Sequence, residues 1–458
     1  GSNIIYLAHN VAGNEFNGNI ILNAPFGNGI YFSNNTGGSS TQGVGGNVSI
    51  GGGGFSSGEL RLIRFTQLGA SNNTLNLTGS TILRVGPNSS FGGSVDFRAP
   101  RLFLDGFTVG GTAYLEKNGA TEDTGAGNNT FGGATTIVNT ANGNLRTQGN
   151  NTFNSTTNLI NSGTAYLLLE LSSGSTYNGA VTFTNTSTSN IRVAYAGATT
   201  FNGNLIFNNP SGTGIVFCET AGATATLADT YSMAVGGSGF SVGTLNLNRF
   251  TQVGSTIQAL TLTGTAILNL GPDSQFDGDV NFVSPRVLLN GTIFNGSTYI
   301  EKNGTTNDTG TGNNTFNGTA TLVNSSPSVF RTNGNNTFNG ATTFINSGSQ
   351  DMLFELNTGS IYNNTVTFRN TGSSSIRVAY NGTNAFNGDI IVENTVGTGV
   401  IFCESAAATA TLADTRKITV GGLGFNAGDL RLLRFTQVGG TAQTLTLTGS
   451  ALLTLGPS

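Results

Sequence analysis

Charged residues, cysteine and histidine are all scarce in this chain. Lys, Arg, Asp and Glu make up 9% of its 458 residues, whereas an ordinary globular domain carries about 25%. Two cysteines are too few for a disulfide framework, and zinc sites need clusters of Cys and His that the chain lacks. A single histidine, His9, makes a Ser-His-Asp or Cys-His catalytic group unexpected. We therefore predict no enzyme, and no catalytic, cofactor-binding or metal-binding residues.

The chain also lacks a strong net charge and long apolar runs. Its net charge of −4 offers no basic surface for nucleic acid. No apolar run approaches the roughly 18 residues of a membrane span, so we expect a chain that is not embedded in a membrane. It contains instead 69 glycines, 30 phenylalanines and many Asn, Thr and Ser, with 36% hydrophobic residues to build a core. This composition favours an all-β repeat protein over a disordered chain.

A long repeat dominates the sequence. The segment Arg64–Gln67 returns as Arg249–Gln252 and as Arg434–Gln437, and each step covers 185 positions (249 − 64). Glu116–Gly119 matches Glu301–Gly304 at the same distance. A period kept this closely along the chain indicates stacked structural repeats.

The 185-residue period defines the predicted domains. Residues 1–15 are the tail of a preceding copy, 16–200 form copy 1, 201–385 form copy 2, and 386–458 form a truncated copy 3. Both ends therefore fall inside a copy, whereas natural solenoids cover their ends with capping segments. We expect the sequence to be a segment of a longer chain.

A shorter repeat lies within each copy. Lead aromatic residues, each at a turn before a short strand, recur at regular intervals: Phe201, Phe240, Phe276, Phe294, Phe316, Phe338, Tyr362 and Phe386. The first two intervals are close to twice the length of the others. If each long gap holds two coils, a copy has about nine coils of ~18–24 residues. Each coil is expected to hold two strands, such as Thr342–Ile345 and Met352–Glu355.

Repeats of this size predict an elongated parallel β-solenoid. Each strand pairs with its equivalent one coil above and below, so that like side chains form ladders about 4.8 Å apart. A sandwich or a barrel does not give one motif of ~20 residues throughout a chain of this length.

The few charges recur at equivalent places in successive second strands: Arg146, Glu170, Arg192 and Glu219 in copy 1, and Arg331, Glu355, Arg377 and Glu404 in copy 2. If these strands stack, the charges form a column of alternating sign. Glu59 with Arg61, and Asp429 with Arg431, form a second predicted set. We interpret both sets as ion pairs that fix the register between coils, rather than as a catalytic or ligand cluster.

Three second strands are apolar at every position: Leu167–Leu169, Met352–Phe354 and Val400–Phe402. A strand with one side in water alternates apolar and polar side chains. We therefore expect a neighbouring solenoid or another segment to cover this side. The predicted partner is a second copy of the chain, associated laterally as a homo-oligomer.

Two acidic pairs and a glycine run are further candidates for chemistry. Glu116 with Asp123, and Glu301 with Asp308, lie in Gly-rich segments where a cation is conceivable, although solvated loops are the favoured interpretation. Gly51–Gly54 lacks the following Lys-Ser/Thr of a phosphate loop, so we expect it to form a corner.

The two cysteines, Cys218 and Cys403, occupy one position of the long repeat. Nine coils would separate them by about 43 Å, which is too far for a disulfide within the chain. Buried core thiols are the favoured interpretation, and pairing between chains is the alternative.

Two other function classes agree less well with these observations. Glycan-cleaving β-helix enzymes use carboxylates that converge in one cleft, but the acids here recur only once per copy of the long repeat. Ice-binding surfaces use Thr-x-Thr arrays, which Thr74–Thr78 and Thr444–Thr448 resemble, but these segments also occur once per copy. Both functions are therefore disfavoured.

The motifs Phe-Asn-Gly, Asn-Asn-Thr-Phe and Thr-Leu-Thr-Leu-Thr-Gly, repeated with the long period, resemble giant repetitive surface proteins of gliding and predatory marine bacteria. These include gliding adhesins exported by the type IX system and grappling-hook filaments. The resemblance implies an extracellular location at the cell surface and a mechanical role, as the shaft of a filament used for attachment or capture. An adhesin whose loops bind glycans or cell surfaces is the alternative. The resemblance transfers no functional residues.

Overall fold

The computed structural model describes residues 3–9, 11 and 13–456. Every regular element in these residues is a β-strand, and no helix among them is long and apolar enough to cross a membrane. The strands pair in parallel from coil to coil, which confirms the predicted β-solenoid. The remaining residues, 1, 2, 10, 12, 457 and 458, belong to the predicted first and last domains and lie outside the described part.

The chain divides into two compact units. The described residues up to Tyr231, with Gly236–Gly239, form the first unit, and Ser232–Val235 with the residues from Phe240 onwards form the second. The strand Met233–Phe240 contributes to both. Within each unit, successive strands fall on three faces, which we call face 1, face 2 and face 3 in the order in which the chain meets them after Phe16.

The first unit has the following strands. Face 1 comprises Ile20–Ala24, Val48–Phe55, Asn73–Asn76, Val95–Ala99, Ala113–Lys117, Thr135–Asn139, Thr157–Asn161, Val181–Asn185 and Leu205–Asn209. Face 2 comprises Ile5–Leu7, Gly29–Phe32, Glu59–Leu62, Ile82–Val85 and Arg101–Leu104, then, in a second sheet, Asp123–Gly125, Leu145–Thr147, Leu167–Leu168, Ile191–Val193 and Gly214–Phe217. Face 3 comprises Asn14–Phe16, Ser40–Gln42, Phe65–Gln67, Ser89–Phe91, Phe107–Val109, Thr130–Phe131, Thr152–Phe153, Thr176–Tyr177, Ala198–Phe201 and Thr224–Leu227.

The second unit repeats this plan. Face 1 comprises Gln258–Thr261, Val280–Ser284, Thr298–Lys302, Ala320–Asn324, Thr342–Asn346, Val366–Asn370, Ile390–Asn394 and Ile418–Phe425. Face 2 comprises Thr244–Leu247, Ile267–Leu270 and Arg286–Leu289, then Asp308–Gly310, Phe330–Thr332, Met352–Leu353, Ser375–Val378, Gly399–Phe402, Asp429–Leu432 and Leu452–Leu455. Face 3 comprises Phe250–Gln252, Ser274–Phe276, Thr292–Phe294, Thr315–Phe316, Thr337–Phe338, Ile361–Tyr362, Thr383–Phe386, Thr409–Leu412 and Phe435–Gln437.

Each coil therefore holds three strands rather than the two expected. The additional strand is the one on face 3, and it carries the lead aromatic residue. It is as short as two residues, as in Thr130–Phe131, which pairs with Thr152–Phe153. Two residues followed by Asn or Gly are typical of a turn, and pairing with the neighbouring coils makes them a strand.

One copy contains eight coils, not nine. On face 3, eight steps of the register lead from Phe16 to Phe201. Gln42 and Gln67 occupy two of these positions, and Leu227 follows Phe201. Phe240, taken from the sequence as a lead aromatic, instead ends the long strand Met233–Phe240. The count was wrong because buried glutamine and leucine can fill a position that aromatics fill elsewhere.

The core is built on stacked rings. In the second unit Phe316 lies 4.8 Å from Phe338, and Phe338 lies 4.9 Å from Tyr362, measured between ring centroids, with interplanar angles of 6° in both pairs. In the first unit Phe131 stacks on Phe153 at 4.9 Å. The predicted aromatic ladder is confirmed, and it results directly from the parallel in-register pairing of face 3.

Candidate functional site

Side-chain columns along the stacked coils are the most regular feature of the described residues, and they are the candidates for function. The asparagines that directly follow lead aromatic residues form one such column on the outside of the second unit. Each Nδ2 donates to the Oδ1 of the preceding coil at 2.6 to 2.8 Å, in the series Asn295, Asn317, Asn339, Asn363 and Asn387. The side-chain amide has both a donor and an acceptor. Each interior asparagine therefore donates a hydrogen bond to one neighbour in the column and accepts one from the other.

The outer side of face 2 in the first unit carries a charged column. Arg61 and Arg84 lie in register on adjacent strands. Glu59 binds both, with oxygen–nitrogen distances of 2.9 Å to Arg61 and 3.1 Å to Arg84, and Asp105 also binds Arg84. The predicted pair of Glu59 and Arg61 is confirmed, and the structure extends it into a network of four charges.

Aromatic rings flank this network at both ends. The Arg61 guanidinium lies 4.2 Å from the ring centroid of Tyr31, and that of Arg84 lies 4.1 Å from the centroid of Phe103. Burial alone favours the neutral form of Glu59, but the hydrogen bond and charge of Arg61, together with the hydrogen bonds from Tyr31 and Arg84, lower the pKa of Glu59. The carboxylate is thus held in its ionised form by its neighbours.

The predicted column of alternating charges forms only in part. Arg192 binds Glu219 at 3.2 Å, and Arg377 binds Glu404 at 2.6 Å, as expected. Arg377 additionally binds Asp351 at 2.7 Å. The pair predicted with Glu59 and Arg61 as the second set also forms: Asp429 binds Arg431 at 2.8 Å.

Glu170 and Glu355 do not join that column, and this part of the prediction was wrong. Both side chains are buried. Arg146 and Arg331 face Leu168 and Leu353 across the register, so the glutamates two positions further along are not their partners.

Arg146 and Arg331 bind other residues, and the side chains of the two glutamates point into the core. Arg146 binds Glu122 at 2.8 Å, and Arg331 donates to Thr309 Oγ1 at 2.6 Å. After the two-residue strand the chain turns, so the glutamate two positions beyond each leucine points into the core. The alternation that holds in a longer strand does not apply there.

Each buried glutamate is bonded to a tyrosine seven residues further on. Tyr177 Oη donates to Glu170 Oε1 at 2.7 Å, and the backbone N–H of Ala194 donates to Oε2 at 3.1 Å. Tyr362 and Glu355 form the same bond in the next copy. Burial raises the pKa of both glutamates above the ordinary value. The recurrence of Glu-x6-Tyr in both copies was the sequence signal for this pair.

The apolar strands of face 2 are covered within the chain itself. The outward side chains of Leu168, Leu353 and Ile401 are only 4%, 6% and 7% exposed. Leu168 lies in register between Arg146 and Arg192, whose long side chains shield it. Of the two covers expected, a neighbouring solenoid or another segment, the chain's own adjacent coils supply one, so the burial of these residues requires no second solenoid.

The acidic pairs in the Gly-rich segments do not form a cation site. Glu116 accepts a hydrogen bond from Tyr114 Oη on the outer side of face 1. Asp123 is buried instead, 2.9 Å from Arg101 and 3.6 Å from Lys117. Glu301 and Asp308 are arranged in the same way. No group of three or more His, Cys, Asp and Glu suited to a metal ion occurs in residues 3–9, 11 and 13–456.

Gly51–Gly54 forms a bulge within a face 1 strand rather than a corner. Leu22 pairs with Ile50 and Ala24 pairs with Phe55, so three extra residues bulge out of the strand. A Cβ at Gly51 would lie 2.6 Å from Asn23 Oδ1, so a larger residue there would require the Asn23 side chain to move. The strand Ile418–Phe425 has the same irregularity.

The remaining candidates have structural surroundings. His9 packs 4.6 Å from the ring of Tyr6. Cys218 and Cys403 are both buried, as expected, and neither forms a disulfide within the described chain. Burial raises the pKa of the Cys403 thiol to about 12, so the reactive thiolate is disfavoured.

The Thr-x-Thr segments do not build a continuous array. Thr74 lies on the outer side of face 1, where its register neighbours are Ser49 and Asp96. Residues 444–448 form no strand.

The chain was compared with protein-family models, with curated proteins and with solved structures, and none of the three comparisons found a match.

Proposed function

We propose that this chain is a structural shaft segment of an extracellular bacterial surface filament that serves mechanical attachment or the capture of prey or surfaces. The observation that supports this role is the continuity of the ladders within each unit. Backbone pairing on three faces is accompanied by ring, amide and ion-pair columns along the stacked coils. The proposed activity is mechanical, with no chemical step.

Removing one coil from such a stack breaks several interactions at once. In the coil that contains Phe338, the strands Thr337–Phe338, Thr342–Asn346 and Met352–Leu353 pair with both neighbouring coils. Loss of the coil also unstacks two ring pairs. Because these contacts are lost together, resistance to pulling is shared among them.

Force spectroscopy on single chains held at both ends tests this proposal. We expect extension in repeated steps of roughly 60–90 Å, since a coil of about 18 to 26 residues lengthens by about 3.5 Å per residue. Extension of a whole unit in one weak event, with no coil-sized steps, would argue against a mechanical shaft. Electron microscopy of the native surface assembly tests whether the chain is extracellular and filamentous.

Lateral association with further copies belongs to the same proposal. Equivalent corner positions of the three copies expose apolar side chains, Leu68, Val253 and Val438, which are 60%, 39% and 47% exposed. Sedimentation velocity over a range of concentrations should show self-association that weakens when all three are replaced by Ser. A concentration-independent monomer would contradict it.

An adhesin is the second candidate, and a different corner favours it. Phe26 is 84% exposed, and the equivalent residues of the next copies are Ser211 and Val396. An exposed ring is a typical platform for a sugar. A glycan array separates the candidates: an adhesin should bind and lose binding on Phe26→Ser, while a shaft alone should bind nothing.

A further inference from the structure

We propose that each full copy carries a modification site at which a buried lysine forms an amide cross-link with the asparagine of the following coil. The pairs are Lys117 with Asn139 and Lys302 with Asn324. The product is an intramolecular isopeptide bond that ties two coils of face 1 together.

The register places the two residues side by side on adjacent strands. Lys117 is the in-register partner of Asn139, and Lys302 is the partner of Asn324. All four side chains lie in the core with 0% exposure. Asparagine continues the column on later coils, in Asn161 and Asn185 of the first unit and in Asn346, Asn370 and Asn394 of the second. Only the first asparagine of each column adjoins a lysine.

The lysine lies among groups that prepare it as a nucleophile. Lys117 Nζ donates to the carbonyl oxygens of Pro100, at 3.1 Å, and of Gly119, and it lies 3.6 Å from Asp123. Burial lowers the pKa of Lys117, and the nearby Asp123 only partly opposes this. The neutral amine is the form that attacks a carbonyl.

The second unit repeats these contacts and adds another. Lys302 Nζ lies 3.5 Å from Asp308, and burial lowers its pKa in the same way. It also donates to Ser328 Oγ at 2.7 Å, while Asn324 Nδ2 donates to the carbonyl oxygen of the same serine at 3.1 Å. Ser328 thus contacts both reacting side chains.

The asparagine carbonyl is polarised by local donors. The backbone N–H of Ala141 donates to Asn139 Oδ1 at 3.4 Å. Asn324 Oδ1 accepts from Ser326, from its N–H at 3.3 Å and its hydroxyl at 2.6 Å. Donors aimed at this oxygen stabilise the negative charge that develops on it when an amine attacks.

The reaction balances without an oxidant or a cofactor. The aspartate takes one proton from the lysine ammonium, and the neutral Nζ forms a bond to Cγ of the asparagine. As the amide forms, Nζ loses a second proton. This proton and the one held by the aspartic acid pass to Nδ2, the Cγ–Nδ2 bond breaks, the aspartate is regenerated, and the nitrogen leaves as an ammonium ion. Each cross-link therefore lowers the mass of the chain by about 17 Da. It joins positions one coil apart, and such loop closure restricts the unfolded chain as a disulfide does.

Intact-mass spectrometry of the full purified chain tests the proposal. We expect a mass about 34 Da below that of the sequence, because two bonds form. In Lys117→Met the deficit relative to the variant's own sequence mass should fall to about 17 Da. In the double variant with Lys302→Met the deficit should disappear. Asn161→Ala, in the same column but away from the lysine, is the matched control and should leave the loss unchanged. A folded chain of unmodified mass would overturn the proposal.

A second measurement excludes the other source of the same mass change. Asn118-Gly119 and Asn303-Gly304 adjoin the lysines, and ring closure of Asn-Gly to a succinimide also releases ammonia. After proteolysis, the cross-link gives a branched peptide that joins the lysine and asparagine segments. Linear peptides alone, or a loss that persists in both lysine variants, would overturn it. Circular dichroism confirms that each variant is folded, and Asp123→Asn should slow the cross-linking in the first unit alone.

Discussion

Face 2 of the two units carries different chemistry at equivalent positions. In the first unit Arg61, Arg84 and Asp105 bind through charges. The equivalent residues of the next copy are Asn246, Asn269 and Asn290. There Asn269 Nδ2 donates to Asn246 Oδ1, and Asn290 Nδ2 donates to Asn269 Oδ1.

This comparison shows that the outer side of face 2 requires a bond between successive coils. Both columns give each coil a directional bond to the next, and neither depends on a particular residue type. The two solutions should respond differently to mutation, acid and salt, because only one involves charge. The core beneath them, by contrast, keeps the same lysine–aspartate and glutamate–tyrosine groups in both units.

Replacing one residue in each column should produce the largest difference between the charged column and the amide column. Arg84→Ala leaves the largely buried Glu59 and Asp105 with fewer partners, and we expect a loss of about 2 kcal/mol in local unfolding free energy. Asn269→Ala removes neutral bonds and should cost about 1 kcal/mol. Hydrogen exchange followed by mass spectrometry at the flanking strands measures both. Equal losses would show that charge adds nothing to the first column.

Acid should weaken the charged column alone. The pKa of Glu59 is lowered in the fold, so its contribution is present above the ordinary carboxyl value and is lost as pH falls through the lowered one. The amide column has no group that titrates there. We expect the advantage of the parent chain over Glu59→Gln, measured by exchange at Glu59–Leu62, to shrink on acidification. Protection of Thr244–Leu247, corrected for intrinsic rates, should not follow that trend.

The buried glutamates should have the opposite effect on stability, which should rise as the pH falls. Burial raises the pKa of Glu355, so stability is fully present below the ordinary carboxyl value and is lost as pH rises towards the raised one. Relative to Glu355→Gln, which cannot ionise, the parent chain should therefore gain stability as pH falls. Urea unfolding over a pH series measures this, with Glu170→Gln as the matched variant. A difference independent of pH would mean that this carboxyl does not titrate in that range.

The period and the ladders were predictable from sequence because parallel stacking places like residues in register. The ring column through Phe338 and the pair of Arg192 with Glu219 follow from spacing alone. The inward turn of Glu170 did not, because alternation assumes a strand that continues, and this strand stops at Leu168. How far a short strand extends depends on its neighbours, which no local pattern contains.

The candidate cross-link was likewise beyond what the sequence pattern could predict. The sequence marked Glu116 and Asp123 as an acidic pair, but strand alternation places Glu116 outside and Lys117 inside. Asp123 then meets the lysine rather than the glutamate. The relevant partner, Asn139, lies one coil away, and only the register identifies it.

Added salt should have the smallest effect on stability, and this screening effect should be confined to the charged column. Arg84 is 29% exposed at its side chain, so ions reach its pairs with Glu59 and Asp105. Raising sodium chloride from about 0.05 M to 1 M shortens the screening length from roughly 14 Å to 3 Å and should cost the charged column a few tenths of a kcal/mol. The amide column offers no net charge to screen, so exchange at Ile267–Leu270 serves as the internal reference. Because general salt effects act on both units alike, the difference between Ile82–Val85 and that reference isolates the ionic contribution. No difference would mean that Arg84 acts through packing on Phe103 and hydrogen bonds, and that the two columns are physically equivalent.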